Sequence, residues 1–139
     1  MTTYLLDTNA CIALINGSPG HVRQRMRDAT SGDAVVLLSS IVVFELWYGV
    51  GRSQQRERNA QRLNAFLAGP VHWTYFDDDD AREAGTVRTE LEAEGKPIGA
   101  WDVLIAGQAR RLGATLVTSN VSEFDRVSGL MWEDWSRPA

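Results

Sequence analysis

Short continuous apolar runs alternate along this chain with segments in which apolar residues recur every three or four positions. Tyr4, Leu5 and Leu6 form a run that stops at Asp7, the pattern of a strand covered on both faces. Asp7 or Thr8 is placed to cap a helix over Ala10 to Ile15, and Asn16-Gly17 supplies a left-handed stop. Pro19 opens a second helix reaching about Ala29, Ser31-Gly32-Asp33 turns the chain, and Ala34 to Leu38 predicts a second buried strand. Ser39 and Ser40 then cap a helix carrying Ile41, Val42, Phe44, Glu45 and Tyr48, which Gly49 and Gly51 weaken toward its end.

The next segment, Ser53 through Leu67, has helical spacing and is halted by Gly69-Pro70 before a third strand over Val71 to Phe76. The run Asp77 to Asp80 stands where a helix dipole favours negative charge, so a solvated cap is expected ahead of a helix ending near Glu94-Gly95. Trp101 to Leu112 predicts another helix closed by Gly113, followed by a fourth buried strand over Ala114 to Val117 and a fifth over Leu130 to Trp132. Strands alternating with helices predict an α/β fold, a mostly parallel central sheet flanked by helices, and in such sheets ligands bind beyond the carboxyl ends of the strands.

At 139 residues, against roughly 150 per domain, a single domain over residues 1–139 is expected. Ordinary proportions of hydrophobic (44%) and charged (23%) residues exclude a disordered or fibrous chain. The lone Cys11 excludes an internal disulfide, and with His21 and His72 far apart no zinc ligand set forms. No basic stretch precedes an apolar run at the N-terminus, which predicts a cytoplasmic protein. The longest apolar stretch, Ala34 to Val50, is interrupted by Ser39, Ser40 and Glu45 and is shorter than the roughly 20 residues that cross a bilayer; it reads as buried core, and no membrane association is expected. A net charge of −4 argues against indiscriminate nucleic-acid binding. Yet every basic residue except Lys96 is arginine, the side chain that grips phosphate bidentately. Arg52 with Arg56, and Arg58 with Arg62, are i,i+4 pairs on the helix after Glu45, a rim for RNA phosphates or for an acidic peptide segment.

Three acids lie where solvated acids usually do not. Asp7 ends the first apolar strand, Glu45 sits among Ile41, Val42, Phe44, Leu46 and Trp47, and Asp102 is flanked by Trp101, Val103, Leu104 and Ile105. Burying any of them unpaired is costly, and the helical neighbours of Glu45 (Ile41, Val42, Tyr48, Gly49) include no cation. Carboxylates meeting at the strand ends would raise one another's pKa unless a divalent cation sat between them; an oxygen-only ligand set favours Mg²⁺ or Mn²⁺ over Zn²⁺. Such a centre positions phosphate oxygens and acidifies a water for in-line attack on phosphorus. Three carboxylates suffice for one Mg²⁺, and a second ion would need the substrate phosphate.

Leu6-Asp7-Thr8-Asn9, Ser39-Ser40-Ile41 through Glu45-Leu46-Trp47-Tyr48-Gly49, Pro97-Ile98-Gly99-Ala100-Trp101-Asp102 through Ile105-Ala106-Gly107, and Val117-Thr118-Ser119-Asn120 together resemble PIN-domain ribonucleases, specifically VapC-type toxins of toxin–antitoxin pairs. By that resemblance Asp7, Glu45 and Asp102 fall on the metal-binding acids, Thr8 and Thr118 on supporting hydroxyl positions, and Asn120 on a fourth site position that is often acidic. An amide there adds no charge, and Glu123 is the candidate for the missing carboxylate. The resemblance implies a Mg²⁺-dependent endoribonuclease that inhibits translation, with tRNA a frequent substrate, a VapB-like antitoxin whose tail occludes the site, and a homodimer. The five tryptophans are candidates for stacking on bases, but most are expected in the core or a dimer interface. A phosphorylated receiver and a haloacid-type phosphatase fall behind, because Asp7 is followed by Thr8-Asn9 where those classes want further acids. The alternative is a PIN-derived RNA- or protein-binding module that has lost catalysis, favoured by the neutral Asn120.

Overall fold

The computed structural model describes residues 1–138. Its centre is a five-stranded sheet of β1 (Thr3–Leu6), β2 (Val35–Ser39), β3 (His72–Thr74), β4 (Thr115–Val117) and β5 (Met131–Glu133), in the spatial order β3-β2-β1-β4-β5. All neighbouring strands are parallel, with Leu5 opposite Leu37 on one side and Leu116 on the other. Parallel strands need crossovers, and α1 (Thr8–Asn16), α2 (Gly20–Ser31), α3 (Ser40–Gly51), α4 (Arg56–Leu67), α5 (Asp78–Ala93), α6 (Ala100–Leu112) and the short α7 (Val121–Phe124) supply them. Leu5, Leu6, Leu38 and Leu116 are completely buried, as expected for apolar runs covered on both faces. The predicted α/β architecture is therefore what the chain adopts. Among the described residues no helix is long and apolar enough to cross a membrane.

The sequence leaves β1 toward β2 in one direction and returns to its other side as β4, so the strand order reverses at the β1–β4 boundary. A crevice opens beyond the carboxyl ends of the strands at such a reversal. The Asp7 N–H donates to the Val117 carbonyl at 3.1 Å, fixing the end of β1 against the end of β4.

On the far side of α6, Gly107 meets α5 so closely that a Cβ there would lie 2.4 Å from the Ala84 Cα. The α5 cap forms as expected: the Asp77 side chain accepts from the Asp80 N–H, and the Asp80 side chain accepts from the Asp77 N–H. Asp80, however, is fully buried and not solvated, because its carboxylate also receives the Arg111 guanidinium and the Gln108 amide.

Other expectations are corrected. β3 is shorter than Val71 to Phe76, because the Phe76 N–H turns to the Ser40 hydroxyl at 3.1 Å and leaves the ladder. β5 begins one residue later than expected, at Met131. The stretch from Ala34 to Val50 is only partly core: α3 buries Val42, Val43 and Leu46 but exposes Phe44 and Tyr48. Of the tryptophans, Trp135 is buried under the Tyr4 ring, whereas Trp47, Trp73 and Trp101 are exposed. Arg52 caps the end of α3 and Arg56 begins α4, so these two do not share a helix; Ser53 breaks the run by hydrogen-bonding back to Val50.

Candidate active site

Asp7 is nine-tenths buried and serves as the N-cap of α1, accepting from the Ala10 N–H at 2.8 Å. Capping uses one carboxylate oxygen, leaving the other available. Burial pushes the Asp7 pKa up; the Thr118 hydroxyl and the Ala10 N–H pull it down, while the charges of Glu45 and Asp134 raise it further.

Glu45 reaches the same place from the middle of α3. Its carboxylate accepts a 2.8 Å hydrogen bond from the Thr8 hydroxyl, the residue that follows Asp7. Asp102 arrives from the first turn of α6, where Gly99 is the N-cap and provides no side-chain hydrogen bond. Burial first, then the facing Glu123, then the charges of Asp7 and Glu45, push the Asp102 pKa up to about 7. Glu123 is held below its ordinary value by Asp102 and by the Asn120 amide, which donates to it at 2.9 Å. Asp102 and Glu123 thus shift each other in opposite directions, Asp102 up and Glu123 down. Asn120 is oriented in turn by its own N–H, which donates to the Thr118 hydroxyl at 2.9 Å.

These residues surround one cavity of about 150 Å³, lined by Asp7, Thr8, Asn9, Val42, Glu45, Trp101, Asp102, Ile105, Asn120 and Phe124. No lysine or arginine lines it. A concentration of negative charge that raises its own pKa values and has no cationic side chain fits a hard cation. Among the described residues no group of three or more Asp, Glu, His or Cys closes around a single point, so an ion here would complete its shell with water or substrate oxygens, as Mg²⁺ commonly does.

Sequence reasoning named site residues of which Asp7, Thr8, Glu45, Asp102 and Asn120 line this cavity, while Thr118 and Glu123 act on acids in its lining. It missed Asp134, whose charge reaches Asp7 from just beyond β5. The signal was available: like Asp7, Asp134 is an acid immediately after a strand. The arginine rim is not part of the cavity. Arg52 lies over the Tyr48 ring at 5.2 Å, Arg58 donates to Gln55, and Arg62 is tied to Ile15 and Asn16 at the end of α1. Arg56 and Arg58 stand exposed at the start of α4.

The fold and cleft define the class: a parallel α/β protein with an acidic cavity at the switch in strand order. The PIN domain family model matches residues 4–130. The chain is 39% identical to the tRNA(fMet)-specific endonuclease VapC of Shigella flexneri over 136 residues, 98% of this chain and 100% of that protein. It is 38% identical to Ribonuclease VapC2 of Rickettsia felis over 134 residues, 96% of this chain and 98% of that one. Among solved structures, VapBC2 from Rickettsia felis bound to a DNA fragment from their promoter superposes with a TM-score of 0.90 at 37% identity, covering 96% of this chain and 99% of that chain. VapBC-1 from nontypeable Haemophilus influenzae superposes with a TM-score of 0.86 at 32% identity, covering 98% and 100%. The chain belongs to the PIN-domain family, among its VapC-type endoribonucleases.

Proposed function

We propose that this chain is a single-domain toxin of the VapC type that cuts RNA internally by Mg²⁺-dependent hydrolysis. The observation that carries this reading is that acids from three separate elements, Asp7 after β1, Glu45 on α3 and Asp102 on α6, line one small cavity with no cationic side chain. Bound there, Mg²⁺ or Mn²⁺ would supply positive charge for phosphate oxygens and lower the pKa of a water. Asp7, Glu45 and Asp102 would hold the ion. Thr8 fixes the Glu45 carboxylate by donating its hydroxyl to it at 2.8 Å. The neutral Asn120 favours a binding module without catalysis, but it holds Glu123 against Asp102 and so returns a carboxylate to that corner.

Incubation of the purified protein with RNA and Mg²⁺ tests this. Asp7→Asn and Asp102→Asn should each cut the rate at least about 100-fold while the melting transition is retained, and chelation should abolish cleavage. Cleavage persisting in both variants would mean that the cavity is not the active site.

The name of the Shigella relative makes tRNA the proposed substrate class, in the cytoplasm where tRNA is found. Sequencing of cellular RNA 5′ ends after induction checks that assignment, and unaltered tRNAs would refute it. A VapB-like antitoxin is the proposed protein partner. Beside the acids, an apolar groove of about 250 Å³ is lined by Ile12, Ile15, Leu46, Val50 and Leu63 with Glu45 at its edge. An amphipathic segment laid there would bring its polar end to the carboxylates. A homodimer is supported by Trp47 and Tyr48, which leave an exposed aromatic face on α3.

A further inference from the structure

Phe44 directly precedes Glu45, and Trp101 directly precedes Asp102. The two helices that carry acids to the cavity therefore also carry aromatic rings to its edge. The ring centroids lie 5.2 Å apart with the planes tilted by 30°. Trp101 lines the cavity beside Asp102 yet is 47% exposed, and Phe44 is 54% exposed. Core packing does not account for a large, water-facing aromatic pair at the mouth of an acidic cleft. The cleft has no arginine or lysine to grip a nucleotide, so beyond what a bound cation contributes at the scissile phosphate, affinity for the rest of the substrate must come from another source. Stacking of a base on an aromatic face is such a source, and it depends neither on charge nor on sequence.

We propose that Trp101, braced by Phe44, is the platform on which an unpaired base flanking the scissile phosphate stacks. This rests on the nuclease reading and adds to it the residue that places the substrate. A base within a duplex already stacks on its neighbours and cannot also lie on Trp101, so the platform selects nucleotides splayed from loops or single strands. Trp101 is a positioning residue: it seats the nucleotide, and the carboxylates do the chemistry.

The probes are a synthetic RNA hairpin with an unpaired loop, the same hairpin with abasic loop positions, and the fully paired duplex. Binding is measured in Mg²⁺ with Asp7→Asn protein, which should not cut the probe, alone and combined with Trp101→Ala or Trp101→Phe. Trp101→Ala should weaken binding of the intact loop about 5- to 150-fold, Trp101→Phe should restore most of it, and the duplex should bind poorly throughout. The abasic loop should bind Asp7→Asn protein as weakly as the intact loop binds the double variant, with no further loss when both changes are combined. In catalytically intact protein, Trp101→Ala should raise KM for the intact loop with little change in kcat.

Additive losses, unchanged affinity in Trp101→Ala, or a shift of that variant from dimer to monomer would overturn the platform; the last result would assign the ring to a second copy of the chain. Cleavage of RNA by wild-type protein judges the nuclease reading separately. Cleavage indifferent to Trp101 sinks only the platform, whereas failure to bind or cut any RNA sinks both.

Discussion

At the scale of single residues, most polar side chains around the cavity hold another one in place. Thr8 holds Glu45, Thr118 orients the Asn120 backbone, and Asn120 holds Glu123 against Asp102. Such supporting contacts matter because a carboxylate free to rotate must be ordered at the moment of binding. Replacing Thr8 with valine keeps the shape and removes the hydroxyl. The variant should fold normally and need a Mg²⁺ concentration about 10- to 100-fold higher for half-maximal cleavage, as read from a metal titration of the rate. The three acids were legible in the sequence because an ionisable side chain inside an apolar segment has few structural reasons to be there, whereas the hydroxyls were named only through the family resemblance. Their mutual hydrogen bonds were not, since Thr8 and Glu45 are 37 positions apart and only folding makes them neighbours.

At the scale of elements, the packing of α6 on α5 sets where Asp102 can stand. Two features fix it. Gly107 lets the helices touch, and the buried Asp80 carboxylate ties the start of α5 to Arg111 and Gln108 on α6. A side chain at Gly107 would collide with Ala84 backbone, which cannot swing aside. Gly107→Val should therefore lower stability by about 3 kcal/mol in urea unfolding, with some loss of cleavage as Asp102 shifts. Asp80→Ala removes a cap together with its buried partners, and a loss of about 3 kcal/mol is expected by the same measurement. A change below about 0.5 kcal/mol in either variant would show that the α5–α6 contact is not rigid. From sequence, the four consecutive aspartates read as a solvated helix start. That was right for the helix and wrong for Asp80, because the arginine that buries it lies 31 residues away. Strand ends were equally beyond local reading: β3 stops where a distant serine hydroxyl captures the Phe76 N–H.

At the scale of the whole molecule, folding gathers negative charge at one end of the sheet and should make stability depend on pH and metal together. In the metal-free protein the raised pKa of Asp102, about 7 against an ordinary 3.8, means that the folded state binds more protons than the unfolded chain across that interval. Stability contributed by the protonated form is complete below the ordinary value and is lost as pH rises through about 7. Glu123, held below its ordinary value, acts oppositely but only in more acidic solution. The melting temperature without metal should thus fall from pH 5 to pH 8, and added Mg²⁺ should reverse the trend by binding the deprotonated acids. A melting temperature that rises over this range without metal, or one indifferent to Mg²⁺ at pH 8, would contradict a carboxylate cation site.

The sequence by itself determined the alternation of buried strands and helices, and with it the parallel sheet and the end of that sheet at which the acids stand. Those features follow from local periodicity and from capping, which act over a few residues. Only the tertiary structure decided which acids share a cavity, that Glu123 and Asp134 bear on it, that Asp80 is buried, and that Trp101 and Phe44 meet at its mouth. Each of these depends on the strand order β3-β2-β1-β4-β5, which brings together residues far apart in the chain and which no local pattern encodes.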